Sequence, residues 1–337
     1  MLEGPESTIR LGGIKVIENR AYLRSSCLGG GDDLASICSI LAVKRINLGL
    51  LIHIAETVHG ESITAASAGS AGSFFGYTLE KSGRGDRKTV EITTNISRIS
   101  VFPHNQRPEI AASLLALLDA HAITLYGLAS SPSAITIVVS ASDFDIAMES
   151  IFNAFAFPTC TSYSEWRTVR RMTEQLLSEV RCSYSEQVIT IYGFSWQAGL
   201  DLWNVSVPID KIGRVASFVT ELGEIGLKLP FMVSGLSLLE SGIHFSFALK
   251  IDLREKVGQS LDKHLPGRGY LCRGPVTALF VHGPHFGDRY GIANTFVTAL
   301  RQAGIPLFAL SCAVSSISAV IAGNDPGRAV AALNTRF

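Results

Sequence analysis

A chain of 337 residues is long enough for about two to four domains with cores of their own. Apolar residues make up 47% but charged residues only 17%, against about 25% in ordinary soluble domains, so neighbouring units or another chain are expected to cover much of the surface. The 29 basic and 29 acidic residues cancel, which argues against a nucleic-acid or anionic-membrane footprint.

At the N-terminus, MLEGPESTIRLGG lacks the basic and then apolar regions of a secretory leader. GGIKVIENRAYL (12–23) reads as a strand, LASICSIL (34–41) as a helix and INLGLLIHI (46–54) as a strand. KSGRGDRK (81–88) reads as an exposed Gly-rich connection. The most charged segment, SEWRTVRRMTEQLLSEVRCSYSE, reads as a surface helix joining two halves, and QVITIYGF (187–194) as a strand after it. A strand at 275–282 precedes a helix in which Ile292, Phe296, Leu300 and Ala303 stand at helical spacing, ending on Gly304 as its C-cap.

The next stretch, 302–324, holds 23 residues without one Asp, Glu, Lys or Arg. A membrane-spanning helix needs roughly 20 apolar residues in continuous helical conformation, but Gly304, Pro306 and four serines interrupt this one. Two short strands, IPLFALS and SSISAVIAG, fit better. Asp325 can then N-cap a final helix with Pro326 in its first turn.

The chemistry-bearing motifs are sparse. Six cysteines, at 27, 38, 160, 182, 272 and 312, include no Cys-x-x-Cys and read as free thiols in a cytoplasm. His282 and His285 lie close together in HGPH, but with no further ligand cluster they read as a loop pair, so no metal is expected. LGGGDDLAS lacks the Lys-Ser/Thr of a phosphate loop and the full dinucleotide fingerprint, and reads as a turn into a helix. There is no Gly-x-Ser-x-Gly elbow and no Cys-His context. Neither a cofactor nor a catalytic residue is expected.

An internal repeat organises the chain. A second 23-residue run without Asp, Glu, Lys or Arg, 120–142, ends at Asp143 as the first ends at Asp325. At one constant offset Ile110 falls on Ile292, Ile123 on Ile305, Leu128 on Leu310, Ile135 on Ile317 and Phe155 on Phe337. Upstream, INLGLLIHI falls on LKLPFMVSG (227–235) and LASICSIL on VASFVTEL (215–222). Each half then holds two units of strand, helix, strand, strand, helix. This predicts an α+β fold of four ferredoxin-like βαββαβ modules in two tandem pairs. The expected boundaries are 1–95 with a leading strand, 96–163, a linker helix at 164–187, then 188–270 and 271–337. Sheets of this kind have edges, and edge-to-edge pairing between modules would remove them.

DRYGIANTFVTALRQAGIPLFALSCAVSSISAVIAGNDPGRAVAALNTRF closely resembles the C-terminal ACT domain of aspartate kinases. It shows the Asp-x-x-Gly approach to the helix, Ala-Gly-Ile before the second strand, the Ser-rich bend and a closing Ala-x-x-Ala-Leu helix. DKIGRVASFVTELGEIGLKL (210–229) is similar to the first ACT domain of the same enzymes. The resemblance implies four ACT-like modules, with 12–23 and 187–194 as the strands that complete the sheet of the following module. Those kinases carry a kinase domain ahead of their ACT domains. Here the first ACT-like strand starts within the first twenty residues, which implies a duplicated regulatory region without it.

In such proteins small molecules, commonly amino acids, bind at interfaces between modules. The physical basis is a helix N-terminus, whose free amides and dipole favour a carboxylate. Two modules keep the Asp-x-x-Gly approach, Asp210 with Gly213 and Asp288 with Gly291. The second has Glu109 at the Gly position and the first has Asp32 or Asp33, which should repel a carboxylate ligand. The implied ligand-binding set is Ile209, Asp210, Gly213, Lys228, Asp288, Arg289, Gly291, Ile292 and Ser311. Where the family often places Asn or Asp, only Asn47 matches, and Thr124, Lys228 and Pro306 stand elsewhere. Lys228 reads either as a solvated strand-end lysine or as the partner of an acidic ligand. The Asp-x-x-Gly pairs read equally as structural turns.

The resulting expectation is a non-catalytic regulatory protein that binds an amino acid or similar small metabolite and signals to a partner. That partner would be another protein, or a second copy joined through ACT sheets. A detached regulatory subunit of an aspartate kinase and a scaffold with decayed pockets are the alternatives.

Overall fold

A computed structural model describes residues 9–28, 33–69, 88–178, 192–267, 269–283, 289–313, 316–323 and 326–337. The short β1 (Ile9–Arg10) leads into β2 (Gly13–Leu28), α1 (Asp33–Val43), β3 (Leu48–Ile54) and β4 (Glu61–Ala68). Next come β5 (Lys88–Phe102), α2 (Pro108–Ala120), β6 (Gly127–Ser130), β7 (Ile135–Ser140), α3 (Phe144–Ala154) and β8 (Phe155–Ala156). After α4 (Tyr163–Ser178) the order recurs as β9 (Gly193–Pro208), α5 (Ile212–Glu224), β10 (Phe231–Leu236), β11 (Gly242–Lys250) and α6 (Arg254–His264). The last group is β12 (Tyr270–His282), α7 (Ile292–Gln302), β13 (Leu307–Ala313), β14 (Ser316–Ala322) and α8 (Gly327–Asn334). The charge-free run is therefore a strand pair, and no described helix is long and apolar enough to cross a membrane.

Twelve strands close on themselves in the order β10-β11-β9-β12-β14-β13-β3-β4-β2-β5-β7-β6, and β6 pairs antiparallel with β10. Within every group the first strand neighbours the third, and the third neighbours the second. First strands meet across each half, β2 on β5 and β9 on β12. At 15 to 16 residues, β2, β5 and β9 are long enough to bridge two neighbouring groups, and β5 begins ahead of residue 95. The N-terminal part of β2, Gly13–Ile17, lies along Arg98–Phe102 and so extends the sheet of the second group.

Within the barrel each tandem pair is joined through its first strands, and in the first half β1 also pairs with β8. The second strands are left as edges and find partners in the opposite half, β3 on β13 and β6 on β10. Helices follow them, so α2 packs on α5 and α1 on α7. A closed sheet leaves no strand edge open for docking.

Alternation along the strands sorts the side chains. Leu50, Ile52 and Ile54 of β3 turn into the barrel with Phe231, Val233, Ala309 and Ala313. Leu51, Leu310 and Cys312 turn outward beneath the helices, against Phe296 and Leu300. Both faces of the central strands are thus buried, which accounts for the lack of charge along β13 and β14. Burying each large aliphatic or aromatic side chain contributes about 1.5–3 kcal/mol.

The helices that follow the first strands all end alike. Ile46, Ile123, Leu227 and Ile305 donate their N–H to the carbonyls of Leu41, Leu118, Leu222 and Leu300. In each case the residue just before the donor has positive φ: Arg45 at 55°, Ala122 at 50°, Gly226 at 72° and Gly304 at 65°. This is the six-to-one closure of a left-handed C-terminal cap. Asp325, expected to cap α8, lies outside the described residues, and Pro326 takes the N-cap position.

Candidate functional site

Where α2 and α5 meet, the C-terminal end of one helix faces the N-terminal end of the other. A cleft of about 480 Å³ opens there, lined by Leu118, Asp119, Thr124, Ile209, Asp210 and Ser241. No side chain of its own caps α5. Instead the Gly213 N–H donates to Asp119 Oδ1 at 3.0 Å, from 94 residues earlier in the chain. Gly213 permits this approach, because a Cβ there would stand 2.3 Å from Asp119 Oδ2. A carboxylate at a helix N-terminus meets free amides and the positive end of the dipole. Asp210, exposed beside it, pairs with Lys211 at 3.2 Å.

The α1–α7 contact has a cleft of about 370 Å³ at the matching corner, lined by Leu34, His53, Ser62, Arg301, Ile305 and Pro306. His53 Nδ1 shares a hydrogen bond with Thr64 Oγ1 at 2.9 Å. The two open clefts obey the repeat: Leu118, Asp119, Ile123 and Thr124 of the first match Leu300, Arg301, Ile305 and Pro306 of the second. One position thus carries an anion in one cleft and a cation in the other.

Of the other two corners, the one at the α7 N-terminus is shut. Between Leu41 and Ala42 of α1 and Gly291 and Ile292 of α7 the free space is about 10 Å³, barely that of one water. Leu41 and Leu118 accept the same capping bond, so Ala42 stands where α2 has Asp119. At the α2 N-terminus, Leu229 N–H donates to Gln106 O at 2.9 Å and Arg107 Nε to Glu109 Oε1 at 2.6 Å. Burial raises the Glu109 carboxyl, and the Arg107 hydrogen bond with a backbone amide outweighs it, leaving Glu109 below the usual carboxylate range.

No family model and no curated protein matches the chain. Among solved structures, aspartate kinase from Synechocystis superposes with a TM-score of 0.80 at 14% identity, over 98% of this chain and 56% of that one. The fold is shared with aspartate kinase. The chain spans about half the length of the Synechocystis aspartate kinase, and at this identity the likeness speaks for the fold alone. The regulatory subunit of aspartate kinase from Thermus thermophilus matches over 44% of this chain and 98% of its own, at 16% identity and a TM-score of 0.39. Clostridium acetobutylicum aspartate kinase matches over 46% of this chain and 36% of its own, at 15% identity and a TM-score of 0.38.

The site expected from the sequence is divided. Ile209 and Asp210 line the open α2–α5 cleft, and Gly213 adjoins it through Asp119. Arg289, Gly291 and Ile292 line the shut corner, and Asp288 lies outside the described residues. Lys228 is exposed between α5 and β10 and lines none of these clefts. Ser311 is misplaced by the sequence reading. It is on the barrel-facing side of β13, buried, and donates from Oγ to Ser130 O at 2.9 Å. Sequence reasoning passed over Asp119, His53, Ser62, Ser241 and Arg301. The repeat register held the signal for two of them, since Asp119 and Arg301 are its matching positions.

Proposed function

We propose that the chain is a regulatory unit of four ACT-like modules, bounded as the repeat implies. It binds an amino acid or similar small metabolite between modules and passes that state to a partner. The carrying observation is the α2–α5 corner, where a helix N-terminus holds a carboxylate at the mouth of a cleft within the size range of small-ligand sites. In this reading Asp119 and Asp210 take the cationic end of a ligand, and Arg301 with His53 in the matching cleft takes a carboxylate. Ligand that favours one arrangement of the helices over another shifts that equilibrium. With the barrel edges used up inside the chain, the partner meets the helical outside.

A second reading is favoured by one specific observation, the superposition of 98% of the chain on 56% of an aspartate kinase. Under it the chain is the regulatory part of such an enzyme, or its detached subunit. Thermal melting against each of the twenty amino acids tests the main reading. A concentration-dependent rise in Tm, lost in Asp119→Ala or Arg301→Ala, supports it. No response to any of them leaves a scaffold, and phosphoryl transfer from ATP to aspartate by this chain overturns the non-catalytic part.

A further inference from the structure

Two arginines turn into the barrel from adjacent strands. Arg98 of β5 lies opposite Ile17, and Arg20 of β2 lies opposite Ile96, on the face that carries Tyr22, Ile96 and Val138. Arg98 is only 7% exposed. Its guanidinium lies over Gly49, where a Cβ would come within 2.3 Å of Nη1, and Arg20 Nη1 is 3.4 Å from the Cβ position of Gly69. Leu48 and Ala68 are antiparallel register partners, so Gly49 and Gly69 flank that pair, one residue to either side of it, where β3 and β4 meet. The two guanidinium groups therefore lie over bare backbone on either side of one register pair of β3 and β4.

Among the described residues neither group has an acidic partner there. Nε of Arg20 and Nε of Arg98 are both buried without a hydrogen-bond partner. Besides burial, the described groups that act on Arg98 are Arg20 and the thiol of Cys312. Burial holds that thiol up at about 12, so it is uncharged at neutral pH. Burial and then Arg20 push Arg98 down to about 10, which still leaves it cationic. Arg24, on the same face of β2, shows the contrast, since its Nη2 meets Glu91 Oε1 at 2.7 Å. Two like charges turned inward without an anion are costly, and a counter-ion would offset that cost.

We propose that Arg20 and Arg98 form an internal binding site for a small tetrahedral oxyanion of the phosphate type. Each guanidinium is a planar fork of donors suited to two oxygens. A carboxylate has two oxygens to offer both forks, whereas phosphate has enough for each.

The test uses the full chain and inorganic phosphate against chloride at matched ionic strength. Tm rises by several degrees at phosphate about 100-fold above its dissociation constant, and titration calorimetry gives one site. Arg98→Gln abolishes the phosphate response and in chloride melts no lower than the parent, because it removes a buried unpaired charge. Arg20→Gln weakens phosphate binding about 10-fold or more, and Arg24→Gln leaves it unchanged. If Arg98→Gln does not fold, Arg20→Gln carries the test alone. A second arm with ATP separates free phosphate from a phosphate-bearing metabolite, and the small internal site responds to phosphate but not to ATP. A parent protein indifferent to phosphate, variants that respond as the parent does, or a response to ATP alone overturns the proposal.

Discussion

The Gly213 N–H and the Asp119 carboxylate, 3.0 Å apart, tie the first turn of α5 to the last turn of α2. This bond crosses between the two halves of the chain and lies at the surface, so its worth is modest. Asp119→Ala should lower stability by about 0.5–1 kcal/mol, read by urea denaturation. Gly213→Ala should cost a similar amount, because its Cβ displaces the flexible carboxylate. The double variant should cost little more than either alone, since both remove one interaction.

Two of the four left-handed helix ends carry a side chain. Arg45 and Ala122 hold φ of 55° and 50° where the other two ends have glycine. Left-handed backbone costs an L-residue about 1–2 kcal/mol, part of which glycine returns as chain entropy. Arg45→Gly and Ala122→Gly should each stabilise by about 0.5–1 kcal/mol, and Gly304→Ala should destabilise by about 1 kcal/mol. Paired melting curves measure all three.

His104 and His244 are buried, and burial first of all holds both down at about 4, from an ordinary value of 6.5. His59 adds to the effect at His244. The unfolded chain therefore binds protons that the folded one refuses as pH falls from about 6.5 to about 4. Stability should drop across that window with a slope of up to about 1.4 kcal/mol per pH unit for each histidine. Glu61 works the other way, since burial raises its carboxyl and its penalty eases as pH falls. Denaturation midpoints for the parent and His104→Gln should show a shallower slope in the variant.

Arg254 binds Asp201 through Nε at 2.7 Å and Nη2 at 2.6 Å, and Asp201 is fully buried on β9. Removing the arginine strands a carboxylate inside the protein. Arg254→Ala should therefore lower stability more than loss of an exposed ion pair does, although Arg254 itself is half exposed. Arg273→Ala, whose exposed partner is Glu56, should cost under about 1 kcal/mol. Chemical denaturation of the two variants gives the comparison.

Local pattern made the strands and helices of the last group readable, because Pro306 and Gly304 break a helix while Ile292, Phe296 and Leu300 build one. The doubled charge-free run likewise pointed to strands covered on both faces. Partnership between distant segments was not readable in the same way. Nothing near Gly213 announces that its amide is met by Asp119, and the serine at 311 looked like a ligand contact when its strand face points it at Ser130. Arg98 in a strand of alternating character reads as a solvated residue until the barrel closes around it.

Closure has a consequence for how this protein comes together. The seams β3 on β13 and β6 on β10 each join one half of the chain to the other, as the contact surface of a two-subunit assembly would. Because a covalent tether links those halves, the encounter is unimolecular and proceeds at a fixed effective concentration. Dilution cannot dissociate it. One polypeptide thus does what an obligate pair of subunits would do, and its two matching clefts carry opposite charges at one position of the repeat.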